Sequence, residues 1–402
     1  MPSPKKILPT LLFLPLWLFI ILFKFGGGLS YTLLPTLGEK ILPIWLVGML
    51  IGASALLQLI ADIPAGIILD RFGYVRMIRI GTLLFALGGV ALLFGLTVWS
   101  FCALLLSCSF GWLFFGPGVR AYILREAPQK YLGRCIGLQA MFESVGMVLG
   151  MTLLPFTVHL DVPLLGLLLW GILMTAFLMS YWIPLDHSSK QKTAKSISDE
   201  PKKHPLTHLL QTLKRLHPAS GLLCATSFSA STFYGIIWFV IPLVIAQQIS
   251  SNYLSFGLST IEFSAVILGW IIGYLSDHSN TRWFIFLGLL VFSVTGFFLG
   301  FNFNVWFLVL GFLATSGDIL SNVSLWTWLN KIDTQRTDQG TVAGITSFFD
   351  DLGWTVGPVI AGLSYAALGP SWTIALGACL LIIVWLVSSI LLHRPVAVSL
   401  KD

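Results

Sequence analysis

Charge is what this chain has least of. Only 10% of its 402 residues are Asp, Glu, Lys or Arg and 56% are hydrophobic, where a soluble domain carries roughly 25% charged residues. That shortage excludes an ordinary soluble globule and points to an integral membrane protein. Cysteine is scarce as well. Cys102, Cys108, Cys135, Cys224 and Cys379 stand singly in apolar segments, which argues against a disulfide framework or a thiolate metal site and fits small buried hydrophobes. The seven histidines fall in loops or at helix ends, no Ser or His cluster sits at membrane depth, and no GxxxxGK phosphate loop occurs. An intramembrane enzyme and an ATP-driven pump are therefore disfavoured, and no cofactor or metal is expected.

Long apolar runs are what the chain has in their place. Stretches long enough to cross a ~30 Å hydrocarbon core can be laid off at 9–35, 41–69, 75–98, 99–125, 134–158, 162–184, 219–247, 254–276, 282–303, 304–330, 340–367 and 371–392. The expected fold is thus an all-α membrane protein with twelve transmembrane helices, tight turns falling at 98/99 and 303/304. The first run is too long for a signal-peptide core and lacks a small-residue cleavage site, so a permanent helix is expected. Of the 23 Lys and Arg, Lys24 and Arg120 lie within runs, Lys40 lies in the first outer loop, and the other 20 gather at the termini and the even-numbered loops. The positive-inside rule then puts both termini in the cytoplasm, and the formal charge of +6 needs no nucleic-acid partner.

The one long polar segment, "DHSSKQKTAKSISDEPKKHPLTHLLQTLKRLHP" from Asp186 to Pro218, is basic and rich in Ser and Pro. It reads as a cytoplasmic tether between a first half, residues 1–185, and a second, residues 219–402. A shift of 207 residues brings the halves into register: Pro35 meets Pro242, Gly81 meets Gly288, Trp99 meets Trp306 and Pro163 meets Pro370. In the same frame "GRCIGLQAMFESVGMVLG" meets "GTVAGITSFFDDLGWTVG", so that Glu143, Gly146 and Gly150 match Asp350, Gly353 and Gly357. Six spans per half make the copies parallel repeats that can rock about a central site.

The phrase "GIILDRFGYVR", Gly66 to Arg76, returns 207 residues later as "GYLSDHSNTR", Gly273 to Arg282. With the 6+6 layout and the glycine-rich fifth and eleventh helices, it resembles the loop signature of the major facilitator superfamily (MFS) of secondary transporters. The resemblance extends over essentially the whole chain and implies that Asp70, beside Gly66, meets the start of helix 11. Gly66, Asp70, Arg71, Gly73, Arg76 and Glu126 in one half, with Gly273, Asp277, Arg282 and Asp333 in the other, are the expected cytoplasmic gate. "GWTVGPVIAG", which holds Gly353, Gly357 and Pro358, resembles the Gly-Pro motif of the superfamily's antiporters, but the family carries that motif on helix 5. Ser107 stands where its drug antiporters usually carry an Arg; these departures weigh against a typical drug antiporter.

Charges inside the runs are functional candidates by default, because one at the bilayer centre costs at least ~2.5–3.5 kcal/mol. They are Lys24, Asp62, Arg120, Glu143, Glu262, Asp318, Asp350 and Asp351. Glu143 and Asp350 fall near mid-depth, where a carboxyl can exchange protons; a structural ion pair with Lys24 or Arg120 is the competing reading for each. Lys24 precedes "FGGGLSY", whose glycines either loosen the helix or let another pack on it, and it is expected to pair with Asp62 or Glu143 or to touch substrate. Arg120 is expected to brace the gate or pair with Asp62. Phe228, Phe233, Tyr234, Trp238 and Phe239 either line a pocket or face lipid. Six acids against two bases favour a proton or cationic partner. The sequence thus predicts a monomeric secondary transporter of a small organic molecule in the plasma (bacterial inner) membrane, working by proton-coupled efflux. A proton-linked importer or facilitator of a sugar, amino acid or organic anion is the nearest alternative, and a non-transporting sensor or an intramembrane enzyme the alternative of another class.

Overall fold

The computed structural model describes residues 13–126, 132–157, 159–184, 218–247, 256–278, 281–332 and 339–392. The linker residues 185–217 and Asp333 lie outside the described residues, as do the side chains of Asp62, Gly66, Asp70, Gly273 and Asp277.

The described chain is almost wholly helical. Its long helices are α1 (Leu14–Glu39), α2 (Ile44–Phe72), α3 (Tyr74–Leu92), α4 (Val98–Glu126), α5 (Leu132–Thr152), α6 (Val162–Met179), α7 (Pro218–Gln247), α8 (Gly257–His278), α9 (Thr281–Leu299), α10 (Trp306–Ile332) and α11 (Gln339–Leu392). Among the described residues nine spans are long and apolar enough to cross a bilayer. Large apolar side chains stand outward, such as Ile60 (68%), Phe94 (84%) and Ile390 (67%). Water would not tolerate that surface, whereas hydrocarbon would.

Long helical runs thus number eleven among the described residues, where the sequence predicts twelve. The expected spans 340–367 and 371–392 fall in one 54-residue run, broken inside by Gly369 at φ 77, ψ 177. Only glycine takes that conformation cheaply. A straight run of that length would measure about 80 Å at 1.5 Å per residue, far beyond the hydrocarbon core. The turn predicted at 98/99 lies earlier, because Gly95 (φ 88) and a reciprocal cap start α4. Thr97 N donates to Ser100 Oγ at 2.8 Å and Ser100 N to Thr97 Oγ1 at 3.1 Å. On the far side Trp306 N donates to Asn304 Oδ1 at 2.9 Å, which sets the start of α10 two residues after the expected 303/304 turn. Gly73 alone links α2 to α3, at φ 91, which is why the signature needs glycine there.

Helix α7 is the most enclosed span, 83% of its window buried against 28% for α6. Helix α1 packs on α5, α7 on α11, α2 on the first arm of α11, and α5 on α8. Glycine sets the closest of these contacts. On α5, Gly146 faces Ile21 O and Gly150 faces Phe25 O, both too close for any Cβ; on α11, a Cβ at Gly353 would meet Phe228 O at 2.5 Å and one at Gly357 would meet Thr232 O at 2.6 Å. The three glycines of α1 leave the helix unbroken and serve three neighbours: Gly26 faces Leu173, Gly27 faces Trp112 and Gly28 faces Met147. Of the two readings of this triplet, close packing is the one observed.

Gly150→Ala and Gly357→Ala should each destabilise the fold by about 1–3 kcal/mol through overpacking. Gly171→Ala should be neutral, since nothing lies within 4 Å of its Cβ. Thermal unfolding in detergent distinguishes the two outcomes.

Candidate functional site

A cavity of about 240 Å³ opens among α1, α2, α4, α7 and α11. Its aromatic wall centres on Tyr31, whose ring lies 5.6 Å from Trp112, 5.7 Å from Trp238 and 6.1 Å from Trp354. Tyr234 backs the wall, 5.5 Å from Trp354 and 6.1 Å from Trp238. Asp350, Asp351, Gln58, Ser54 and Ser109 supply the polar part. Ser30, Ser54 and Ser109 also border the cavity, but their hydroxyls are donated to backbone: Ser30 to Gly26 O at 2.9 Å, Ser54 to Ile51 O at 2.7 Å, and Ser109 to Ser54 O and Leu105 O, both at 3.1 Å.

Beside the cavity runs a row of carboxyls. The close contact of α1 with α5 places Lys24 Nζ 2.5 Å from Glu143 Oε2, both side chains largely buried. Gln139 Nε2 donates to Glu143 Oε1 at 2.7 Å, and Lys24 lies 4.4 Å over the Trp112 ring and 5.4 Å over Phe115. On α8, Glu262 accepts from Tyr234 Oη at 2.8 Å and from Ser144, and it feels the charges of Lys24 and Glu143. Asp318 on α10 lies in electrostatic range of both Glu262 and Asp350. Asp350 accepts from Ser231 and, at 3.4 Å, from Ser227, and Arg120 acts on it through space.

Four of the predicted acids, Glu143, Glu262, Asp318 and Asp350, are therefore linked through space one to the next, and Asp351 lines the cavity together with Tyr31. Lys24 takes Glu143 as partner, one of the two partners expected for it. Arg120 is exposed at its own position, and Asp62 cannot be assigned a partner because its side chain is outside the described set. At the predicted gate Arg71 lies 5.7 Å from the Phe72 ring and Arg282 5.0 Å from that of Trp328; Arg76 and Glu126 are exposed. On α7, Phe233, Trp238 and Phe239 are buried, and the latter two line the cavity, so the lipid-facing alternative does not hold for them. Sequence reasoning missed the box around Tyr31 and the serines that hold Asp350. One signal was there: the 207-residue frame sets Ser231 at the place of Lys24, and Trp238 at the place of Tyr31.

The sequence profile of the Major Facilitator Superfamily matches residues 16–333 and, in a second register, 223–402. The chain belongs to that superfamily. Among curated proteins it is 24% identical over 263 residues to an uncharacterized MFS-type transporter of Enterobacter sp. (strain 638), covering 64% of this chain and 65% of that one. It is also 24% identical over 262 residues to the uncharacterized MFS-type transporter YcaD of Escherichia fergusonii, covering 64% of each. The matches span a little under two thirds of those relatives' length. Among solved structures, the crystal structure of the human organic anion transporter MFSD10 (TETRAN) superposes with a TM-score of 0.63 at 13% identity, over 95% of this chain and all of that one. At that identity the likeness speaks for the MFS fold alone. Membership and the apolar spans make the chain a multi-pass membrane protein of that superfamily; what it does there rests on the site.

Breaking the interior ion pair of this MFS protein from one side should be costly. Lys24→Met should lower stability by about 3–5 kcal/mol, because Glu143 is left uncompensated; Lys24→Met with Glu143→Gln should recover most of the loss. Paired melting curves of the single and double variants check both.

Proposed function

We propose that the chain is a proton-coupled secondary transporter that exports a small organic molecule by alternating access. The observation that carries the reading is the cavity, shared by α1, α2 and α4 with α7 and α11 and set beside the row of acids. The proposed architecture is twelve crossings in two parallel six-helix halves, residues 1–185 and 219–402, joined by the linker 186–218. The glycine contacts support it: Gly146 on Ile21 and Gly150 on Phe25 are matched, 207 residues on, by Gly353 on Phe228 and Gly357 on Thr232. The two interfaces between halves also exchange under that shift, α2 against α11 becoming α8 against α5. A pair so related can rock about the cavity.

Within this reading Asp350 is the coupling carboxyl and Glu143 is structural. The two hold matching places in the frame, yet Glu143 contacts a lysine directly, while Asp350 is held by serine hydroxyls with Arg120 acting through space, and hydroxyls can stay while a proton comes and goes. Glu262 and Asp318 extend its reach across the halves. Gly66, Asp70, Arg71, Gly73, Arg76 and Glu126, with Gly273, Asp277, Arg282 and Asp333, form the gate at the cytoplasmic edge. The protein works as a monomer in the bacterial inner membrane, both termini cytoplasmic, with protons, a small-molecule substrate and the bilayer as its partners. Organic anions are named for the human transporter, but no Lys or Arg is among the residues lining this cavity, so that cargo is not carried over.

Purified protein in proteoliposomes with an imposed pH gradient and an internal pH dye tests the reading, with lipophilic cations, sugars and organic anions offered in turn. One class should drive proton movement, Asp350→Asn should abolish it while leaving counterflow of that class, and Glu143→Gln should reduce flux without uncoupling it. Substrate counterflow with no proton response in the wild type would overturn coupling.

A further inference from the structure

Resting on the proton-coupled reading, we propose that Ser231 is the positioning residue that makes Asp350 the coupling acid, and that exchanging it with Lys24 moves that role to Glu143. Both acids sit in one backbone geometry. A Cβ at Gly146 would lie against Ile21 O and 2.7 Å from Lys24 Cβ, while one at Gly353 would lie 2.5 Å from Phe228 O and 2.8 Å from Ser231 Cβ. Each of these residues stands 207 positions from its mate, and so do Glu143 and Asp350. The backbone therefore offers both acids the same facing position, and the side chain carried there is what differs.

That difference decides which acid can exchange a proton. Lys24 Nζ lies 2.5 Å from Glu143 Oε2, and an opposite charge so close favours the ionised carboxylate. Gln139 also donates to Glu143, and Glu262 is in electrostatic range of it. An ammonium has donors only, so it has nothing to offer the proton of a neutral acid. Asp350 accepts from Ser231 and, at 3.4 Å, from Ser227, with Arg120 and Asp318 acting through space. A serine hydroxyl both donates and accepts. It donates to the carboxylate and, once a proton has been added to the carboxyl oxygen, turns to accept from it, so Asp350 keeps a partner in both states. The surroundings divide in the same way. The rings against Lys24, Trp112 and Phe115, have Ile319 and Asn322 as their mates, and Ser227 stands at the place of Ile20. One half is furnished for a lysine and the other for hydroxyls.

Acid-minus-alkaline infrared difference spectra of the full chain in dodecyl maltoside test this. The C=O band of a protonated carboxyl reports which acid takes up the proton, and the proton itself is the probe. In the wild type, Asp350→Asn should remove a component of that band and Glu143→Gln should not. Lys24→Ser combined with Ser231→Lys keeps the composition and one buried ion pair; in that chain Glu143→Gln should remove the component and Asp350→Asn should leave it. Ser231→Thr, which keeps the hydroxyl, should preserve the wild-type pattern. If the exchanged chain does not fold, as read from gel filtration and melting curves, Lys24→Ser in an Asp350→Asn background, which buries no new charge, should show a component that Glu143→Gln removes. A component that still follows Asp350 in the exchanged chain, none that follows Glu143 after Lys24→Ser, or loss of the wild-type component in Ser231→Thr would each overturn the role of Ser231 and leave Asp350 as the coupling acid. A wild-type band with no component that depends on Asp350 would overturn this inference and the coupling assignment together.

Discussion

The backbone-to-backbone contact between α1 and α5 fixes where the interior charges sit. Gly146 and Gly150 bring α5 onto the carbonyls of Ile21 and Phe25, and at that spacing Lys24, one turn along, has Glu143 within 2.5 Å. In hydrocarbon neither charge has water to fall back on. The contact therefore has to be close enough for a direct pair, and glycine is the residue that lets it be. The same pair then anchors Gln139 and covers the Trp112 ring, so the wall of the cavity inherits its position from two missing side chains on a neighbouring helix.

The contact occurs again between α7 and α11, with the polar partner changed. Gly353 and Gly357 rest on Phe228 and Thr232, which sets Ser231 rather than a lysine against the acid of α11. One geometry thus gives two electrostatic outcomes. A buried ion pair is expensive to open, because each charge loses its only compensation. A carboxyl held by hydroxyls loses far less when it takes up a proton. The matching sites therefore differ in how firmly their charge is fixed, one acid facing a lysine and the other a serine.

Much of this was legible in the sequence, and the boundary of legibility follows residue chemistry. Apolar length predicts the helices, and the rarity of charge in hydrocarbon singles out Lys24, Glu143, Glu262, Asp318 and Asp350, all of which meet around one region. The repeat of glycines marks where helices touch. Turns were read unevenly: Gly95 with the Thr97–Ser100 cap moves one junction, whereas the bend at Gly369 falls in the gap expected between residues 367 and 371. The aromatic box was hidden for a different reason. In a chain with 54 aromatic residues, composition cannot tell a ring that faces lipid from one that faces a cavity, and only the convergence of α1, α4, α7 and α11 on Tyr31 separates them.

Glu262 and Asp318 depart from the repeat. Their places in the first half are held by Ala55 and Gly111, so the acids have no mates there, and they sit between Glu143 and Asp350 in space. They turn two separate carboxyls into a row that crosses from α5 to α11 by way of α8 and α10. Tyr234 joins that row to the cavity, because its hydroxyl donates to Glu262 while its ring packs on Trp354 and Trp238. The ring that packs on the two indoles is thus the one whose hydroxyl holds Glu262, so the aromatic box and the acid row share one side chain.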